Sequence, residues 1–166
     1  MNSWLMSGRR VTLLAGLTLV AMSIGVARGD PPTGWFPAGS DAKGYEFGTD
    51  AAEKHGGKAS GTIQATVPAD EKFGTMMQVF RADEYVGKRV RMTAWVKAKD
   101  VEDFAGLWMR VDGATRSPLA FDNMGKRAIK GTADWKQYEI VLDVPDNGVV
   151  IAFGVLPTRQ RAVVGR

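Results

Sequence analysis

RVRMTAWVK, residues 89–97, decides the fold class of this chain. Its side chains alternate between apolar and polar, so four apolar residues would share one side of an extended backbone: Val90, Met92, Ala94 and Val96. A period of two is typical of a β-strand with one buried face, whereas a helix needs a period of about 3.6. The stretch therefore predicts a strand that packs on a hydrophobic core.

The same alternation recurs along the chain. Three further runs show the alternation clearly: 106–112, 138–144 and 149–155. Four runs show it more weakly: 45–49, 60–67, 75–80 and 119–123. Turn-forming Gly, Pro and Asn residues separate these short runs, and no convincing helical period interrupts them. The pattern predicts an all-β fold, a sandwich of two antiparallel sheets.

The first 27 residues have the composition of an export signal. Arg9 and Arg10 precede an uncharged, largely apolar run over 11–27, which ends in small residues. This order predicts a signal helix that is cleaved, and hence a periplasmic or secreted bacterial protein with no membrane attachment afterwards. A retained anchor is the alternative. Residues 28–44, rich in Pro and Gly, are predicted to be a linker.

The formal net charge of +4 comes from the two ends of the chain. Residues 1–27 and 157–166 contain five basic residues and no acidic one, whereas the body between them carries 17 basic and 18 acidic residues. Proteins that bind nucleic acid gather basic residues on a folded face. We therefore expect no nucleic-acid partner.

Few residues are available for catalysis. Cysteine is absent, which excludes thiolate zinc sites and cysteine nucleophiles. The one histidine, His55, lies in the turn-like sequence KHGG (54–57), which predicts an exposed loop residue rather than a catalytic base. No glycine–lysine pair completes a phosphate-binding loop. We predict no catalytic residue, no enzyme activity and no cofactor.

Several pieces of the chain carry a resemblance to a known family: GKASG (57–61), Gln78, YVGKRVRMTAWVKA (85–98), WKQY (135–138) and the run 149–155. Together they resemble a galactose-binding-like jelly roll, the sandwich of many bacterial carbohydrate-binding modules. The resemblance places the sandwich at 45–156. It implies the fold well and the ligand poorly, because such modules share a framework while their binding faces differ.

The relation between the strands 89–97 and 106–112 has two solutions. A hairpin would bring Trp95 beside Trp108. In a jelly roll the chain instead crosses between the sheets, and the two tryptophans then lie on opposite outer surfaces. We favour the crossover, because residues 98–105 are enough to connect sheets about 10 Å apart.

The end of the chain departs from the family pattern. Such modules usually finish with an aromatic-then-aspartate strand in the middle of one sheet, and residues 157–166 contain neither an aspartate nor an alternation. We expect an irregular tail and a missing final strand. The sheet would then be marginally stable, or its open edge would take a strand from a protein partner.

The resemblance also implies a ligand site on one outer face of a sheet. Flat aromatic rings stack on sugars, and polar side chains bind the hydroxyl groups. The residues expected there are Trp108, Arg110, Gln78, Asp122 and Asn123. Trp35, Trp95 and Trp135 are expected to be packing residues.

The sequence thus predicts a secreted, non-catalytic binding module for a glycan. The alternative is a structural or protein-interaction domain of the bacterial envelope. An exposed Trp108 in a groove would favour a glycan, and a flat apolar patch or a bare strand edge would favour a protein partner. A structural calcium ion, with Asp50 or Asp122 as a ligand, is the one metal left open.

Overall fold

The computed structural model describes residues 30–66 and 72–158, together with the backbone of 162–165. The predicted signal, residues 1–27, lies outside this range. A 3₁₀ turn at Ala42–Gly44 accompanies the strands. The strands are β1 (Phe36–Gly39), β2 (Tyr45–Asp50), β3 (Ser60–Ala65), β4 (Gly74–Arg81), β5 (Arg89–Asp112), β6 (Pro118–Asp122), β7 (Ile129–Asp143), β8 (Val150–Pro157) and β9 (Ala162–Gly165).

Strand β5 connects the two layers of the molecule. Its first half, 89–98, pairs with β7 on one side and with β9 on the other. Its second half, 105–112, pairs with β8 and β6. One layer is therefore β1-β4-β8-β5-β6 and the other is β7-β5-β9-β3-β2. All pairings given for these strands are antiparallel, and the architecture is the predicted jelly-roll sandwich.

The two halves of β5 do not form a hairpin. They pair with different strands, as the crossover requires, and shifts in register between Val96 and Ala105 carry the chain from one layer to the other. Asp100 adopts a positive φ of 52° within this transition. The predicted loop at 98–105 is therefore a continuous but irregular strand, because β7 follows β5 along the whole crossing.

The alternating apolar residues meet in one core. In the second half of β5, Leu107, Met109 and Val111 are buried, and Ile140 of β7 is buried opposite the half-buried Met92. The layers approach closely: a Cβ on Gly61 of β3 would lie 2.5 Å from the Cε of Met76 in β4. The predicted inward faces are confirmed by this packing.

Both ends of the predicted sandwich require a correction. Strand β1 lies inside the predicted linker 28–44 and pairs with β4. Strand β9 lies inside the predicted irregular tail and inserts between β3 and β5, so a final strand is present at 162–165. The valines of this AVVG sequence favour extended backbone, and two neighbouring strands offer it unpaired N–H and C=O groups.

Within the described ranges, no helix has the length and apolar character needed to cross a membrane.

Candidate functional site

One sheet of the sandwich presents a continuous outer face, formed by β1, β4, β8, the second half of β5 and β6. Residues that pair across an antiparallel sheet share a side, so the register defines which side chains belong to this face. The first row is Phe36, Met77, Gly154 and Trp108, and the next row is Val79, Ala152, Arg110 and Phe121. These eight residues are called the outer face below.

Trp108 lies on this face as predicted, but its ring is only 7% exposed. The indole Nε1 donates to Thr75 Oγ1 at 2.7 Å, and this hydroxyl donates to the carbonyl of Val155 at 2.8 Å. The ring crosses β8 at Gly154, where a Cβ would lie 3.0 Å from Nε1. Trp108 therefore forms the packed floor of the face, and the expected exposed tryptophan is not present.

Arg110 lies two residues further on the same face and pairs with Asp112. Its Nη2 donates to Asp112 Oδ2 at 2.8 Å, and its Nε lies 2.8 Å from Oδ1 without the alignment of a hydrogen bond. The Asp112 side chain is 8% exposed and that of Arg110 is 39% exposed. The guanidinium is thus held in place by a buried carboxylate while part of it faces solvent.

The other predicted site residues do not join Trp108 and Arg110. Gln78 and Asp122 lie in one row with Phe153 and Met109, which is the opposite side of the sheet. Asn123 accepts the N–H of Gly125 at 3.1 Å. Because side chains alternate, a shift of one residue moves a side chain to the other face. Of the five predicted site residues, Trp108 and Arg110 therefore lie together on the outer face, and the other three do not join them.

Asp122 has a local structural role. Its carboxylate accepts the N–H of Met124 at 2.7 Å and is paired with Arg127. Burial by itself would raise the pKa of Asp122, but these two partners outweigh it and hold the pKa below its usual value. The charged form is therefore favoured by the folded structure.

The residues that do expose a ring on the outer face are phenylalanines. Phe36 is 44% exposed, Phe121 is 54% exposed, and the neighbouring Val79 is 47% exposed. Phe36 was missed because it lies in the segment predicted to be a linker. Phe121 could have been found, since it lies one residue before Asp122 and so belongs to the face of Arg110.

An aromatic cleft of about 370 Å³ opens between the two layers. The ring of Phe80 lies 5.8 Å from Phe153 and 5.3 Å from Tyr85, and Trp35 packs on Phe153 at 5.7 Å. The lining residues are Phe80, Tyr85, Val90, Arg91, Met92, Thr93, Met109, Ile151 and Phe153. Sequence patterns did not predict this cleft, because it lies between strands that are distant along the chain.

The loop between β2 and β3 covers part of the other sheet. His55 is exposed, as predicted, but its ring stacks on Trp95 at 3.7 Å with an interplanar angle of 13°. Trp135 lies 6.0 Å from the same imidazole. Nearby, Lys97 Nζ lies 2.9 Å from Glu53 and 3.5 Å from Asp134. Trp95 and Trp135 therefore contribute to packing, which is the role expected of them.

Charged groups around this loop stabilise one another. The hydrogen bond to Glu53 raises the pKa of Lys97. The backbone N–H of Trp135 lowers the pKa of Asp134, with Lys97 adding to the effect. These groups lie at the surface, where solvent screens their contribution to stability.

The two aspartates considered for calcium have other partners. Asp50 Oδ1 accepts the N–H groups of Ala52 and Glu53, at 2.8 and 3.0 Å, and Asp122 is paired with Arg127. Asp50 ends β2 and Asp122 ends β6, in different layers. Among the described residues, no group of three or more His, Asp or Glu side chains is placed to hold a metal ion. Asp50 and Asp122 therefore do not share one site, and a structural calcium ion stays a prediction.

Comparison with known proteins places the fold. No protein-family model matches the chain. The CBM22-1 xylan-binding domain of Paenibacillus barcinonensis Xyn10C covers 84% of this chain and 86% of its own length, with a TM-score of 0.58 and 11% identity. A cyclase from Fischerella sp. TAU covers 82% of this chain and 83% of its own length, with a TM-score of 0.56 and 11% identity.

The chain is also similar in sequence to part of a longer protein. The chain is 51% identical over 123 residues to an uncharacterized HTH-type transcriptional regulator, YbfP, of Bacillus subtilis. The match covers 74% of this chain and 42% of the regulator, so the chain spans less than half of its relative.

These comparisons define the class of fold. The chain has the jelly-roll fold that the xylan-binding domain also has, as its sequence predicted. The structural neighbours include a cyclase as well as carbohydrate-binding modules. The fold by itself therefore decides no activity, and function has to be argued from the surface.

Proposed function

We propose that this domain is a non-catalytic binding module that takes a glycan on its outer face. The observation that carries the proposal is the pair of exposed phenylalanine rings, Phe36 and Phe121, at the two edges of one sheet. Flat rings of this kind can stack on the apolar faces of sugars. The xylan-binding domain that shares this fold supports the proposal.

The layout of the face suits an extended ligand. Phe36 lies on β1 and Phe121 on β6, four strands apart in the sheet, which corresponds to about 19 Å. Between them, Gly154 and Ala152 have no side chain or a small one, so the middle of the face is recessed. Arg110 adds a partly exposed guanidinium there. A sugar chain of several units would contact both rings, and its hydroxyl oxygens would accept hydrogen bonds from Arg110 at the centre.

The proposal of a non-catalytic role has its own support. The one histidine of the chain stacks on Trp95 at the other sheet. None of the eight outer-face residues carries a carboxylate, and Asp112 beside them is buried against Arg110. General acid–base chemistry needs a titratable group that can reach the substrate. The face offers rings and a guanidinium for binding instead.

Isothermal titration with xylo-oligosaccharides, followed by a panel of other polysaccharides, tests the proposal. We expect Phe121→Ala and Phe36→Ala each to weaken binding about fivefold, since a stacked ring contributes about 1 kcal/mol. Tyr85→Ala, which removes a ring of the aromatic cleft, is the matched control and should bind like the parent. Absence of binding to every glycan, or equal loss in the control, would refute the outer face as a sugar site.

The relative suggests a setting for the module. We propose that in longer proteins such a domain supplies ligand binding beside a region of different function, as the name HTH-type transcriptional regulator suggests for YbfP. For this chain, the apolar segment after Arg10 supports export. Fractionation of cells that produce the full chain tests the location: export predicts a periplasmic or secreted product that lacks residues 1–27.

A further inference from the structure

Phe36, one of the two exposed rings of the outer face, lies on a strand that the sheet holds from one side only. Strand β1 is four residues long, stands at the end of its sheet and pairs with β4 alone among the described strands. Pro37 has no N–H to donate, and a sheet tolerates proline at such an edge. The position of the Phe36 ring therefore depends on contacts outside this short ladder.

The two ends of β1 are held by different contacts. At the end away from Phe36, the chain lies close to the residue that precedes β4: a Cβ on Gly39 would lie 2.3 Å from the carbonyl oxygen of Phe73. This oxygen accepts the N–H of Asp41 at 3.2 Å, and the N–H of Phe73 donates to Ser40 Oγ at 3.0 Å. That end is therefore fixed by hydrogen bonds of the backbone.

The end of β1 that carries Phe36 is held by the side chain of Trp35. This ring packs edge to face on Phe153 of β8, with the ring centroids 5.7 Å apart and an interplanar angle of 79°. Phe153 lies on the inner side of the sheet, and Trp35 is half-buried against the core. The N–H of Trp35 donates to the carbonyl of Pro32 at 2.9 Å. Because neighbours along an extended chain point to opposite sides, the anchored Trp35 presents Phe36 on the outer face.

We propose that Trp35 is a positioning residue for glycan binding, which fixes β1 from the inner side of the sheet and so holds Phe36 in place. The inference rests on the proposed function. A ring that is already held needs no ordering when the ligand binds. A ligand gains from Phe36 only when it is long enough to reach across the sheet from Phe121. Trp35 therefore makes affinity depend on chain length, and the ligand class that it selects is a long glycan chain rather than a short sugar.

Isothermal titration with xylohexaose and xylobiose tests the inference. Trp35→Ala should weaken the binding of xylohexaose about fivefold, and its preference for xylohexaose over xylobiose should fall to that of Phe36→Ala. In the double variant the two losses should not add, because the ring that Trp35 positions is already absent. Trp35→Phe, which keeps a ring against Phe153, should bind like the parent. Tyr85→Ala, which removes another ring of the aromatic cleft, is the matched control and should also bind like the parent.

Hydrogen exchange without any sugar separates this inference from the proposed function. The backbone amides of β1 should exchange at least tenfold faster in Trp35→Ala than in the parent or in Tyr85→Ala, whereas those of β6 should not change. Equal exchange in Trp35→Ala and the parent would overturn the inference. So would undiminished binding of xylohexaose by Trp35→Ala, or additive losses with Phe36→Ala, and the proposed function would then still stand. If the parent binds no glycan, the proposed function fails and the role of Trp35 in binding fails with it, while the exchange rates still decide whether Trp35 anchors β1.

Discussion

The two halves of β5 are one strand in two environments. In the second half β8 pairs along 105–112 and β6 along 109–112, and at Leu107 and Trp108 both faces are covered, since these neighbours are both buried. In the first half β7 pairs along one edge and β9 pairs with 95–98 on the other, and the outward residues Arg91 and Thr93 are exposed.

The difference shows how one alternating pattern can occupy two environments. The sequences of both halves alternate in the same way, yet the second half is buried at most positions, whereas the first half lines a cleft with half-buried and exposed side chains. The second half therefore contributes more to the stability of the sandwich, because it removes more apolar surface from water.

The largest expected effect concerns burial in the two halves. Leu107→Ala should lower the free energy of unfolding by about 3 kcal/mol, because the side chain is fully buried and leaves a cavity. Met92→Ala should cost about 1 kcal/mol, because Met92 is half-buried and lines an existing cleft. Urea unfolding measures both values. Equal losses would mean that the two halves are equally well packed.

A smaller effect concerns the loop that covers the first half of β5. His55→Ala should destabilise the protein by about 1 kcal/mol, since it removes the ring stacked on Trp95. The fluorescence emission of Trp95 should move to longer wavelength as the indole becomes more exposed. Lys58→Ala in the same exposed loop is the control. If both variants behave like the parent, the stack contributes nothing to stability.

The smallest effect is a pH dependence at the end of β6. The folded structure lowers the pKa of Asp122, so its contribution is present above the unfolded value of about 3.9 and is lost as the pH falls through the folded value. Asp122→Asn should therefore be less stable than the parent at pH 7, by less than about 1 kcal/mol, and equally stable at pH 2. Unfolding curves at both pH values measure the difference. A constant gap would assign the effect to packing.

The sequence predicted much of the fold from local patterns. The alternation at 89–97 and 106–112 predicted both halves of β5, and the resemblance to a jelly roll favoured the crossover over the hairpin. It missed β1 and β9, since four residues are too few for a period of two to stand out. It placed Trp108 and Arg110 on one outer face, as the register shows, because both follow one strand whose alternation is clear. Their role in binding a ligand stays a prediction.

The amino-acid sequence by itself determined which side chains point inward, because a strand has a fixed period and water drives apolar residues to one face. It did not determine that Trp108 is covered, or that Gln78 and Asp122 lie on the inner side of the sheet. Only the tertiary structure decided these, since each depends on which distant strand lies beside a residue and in which register.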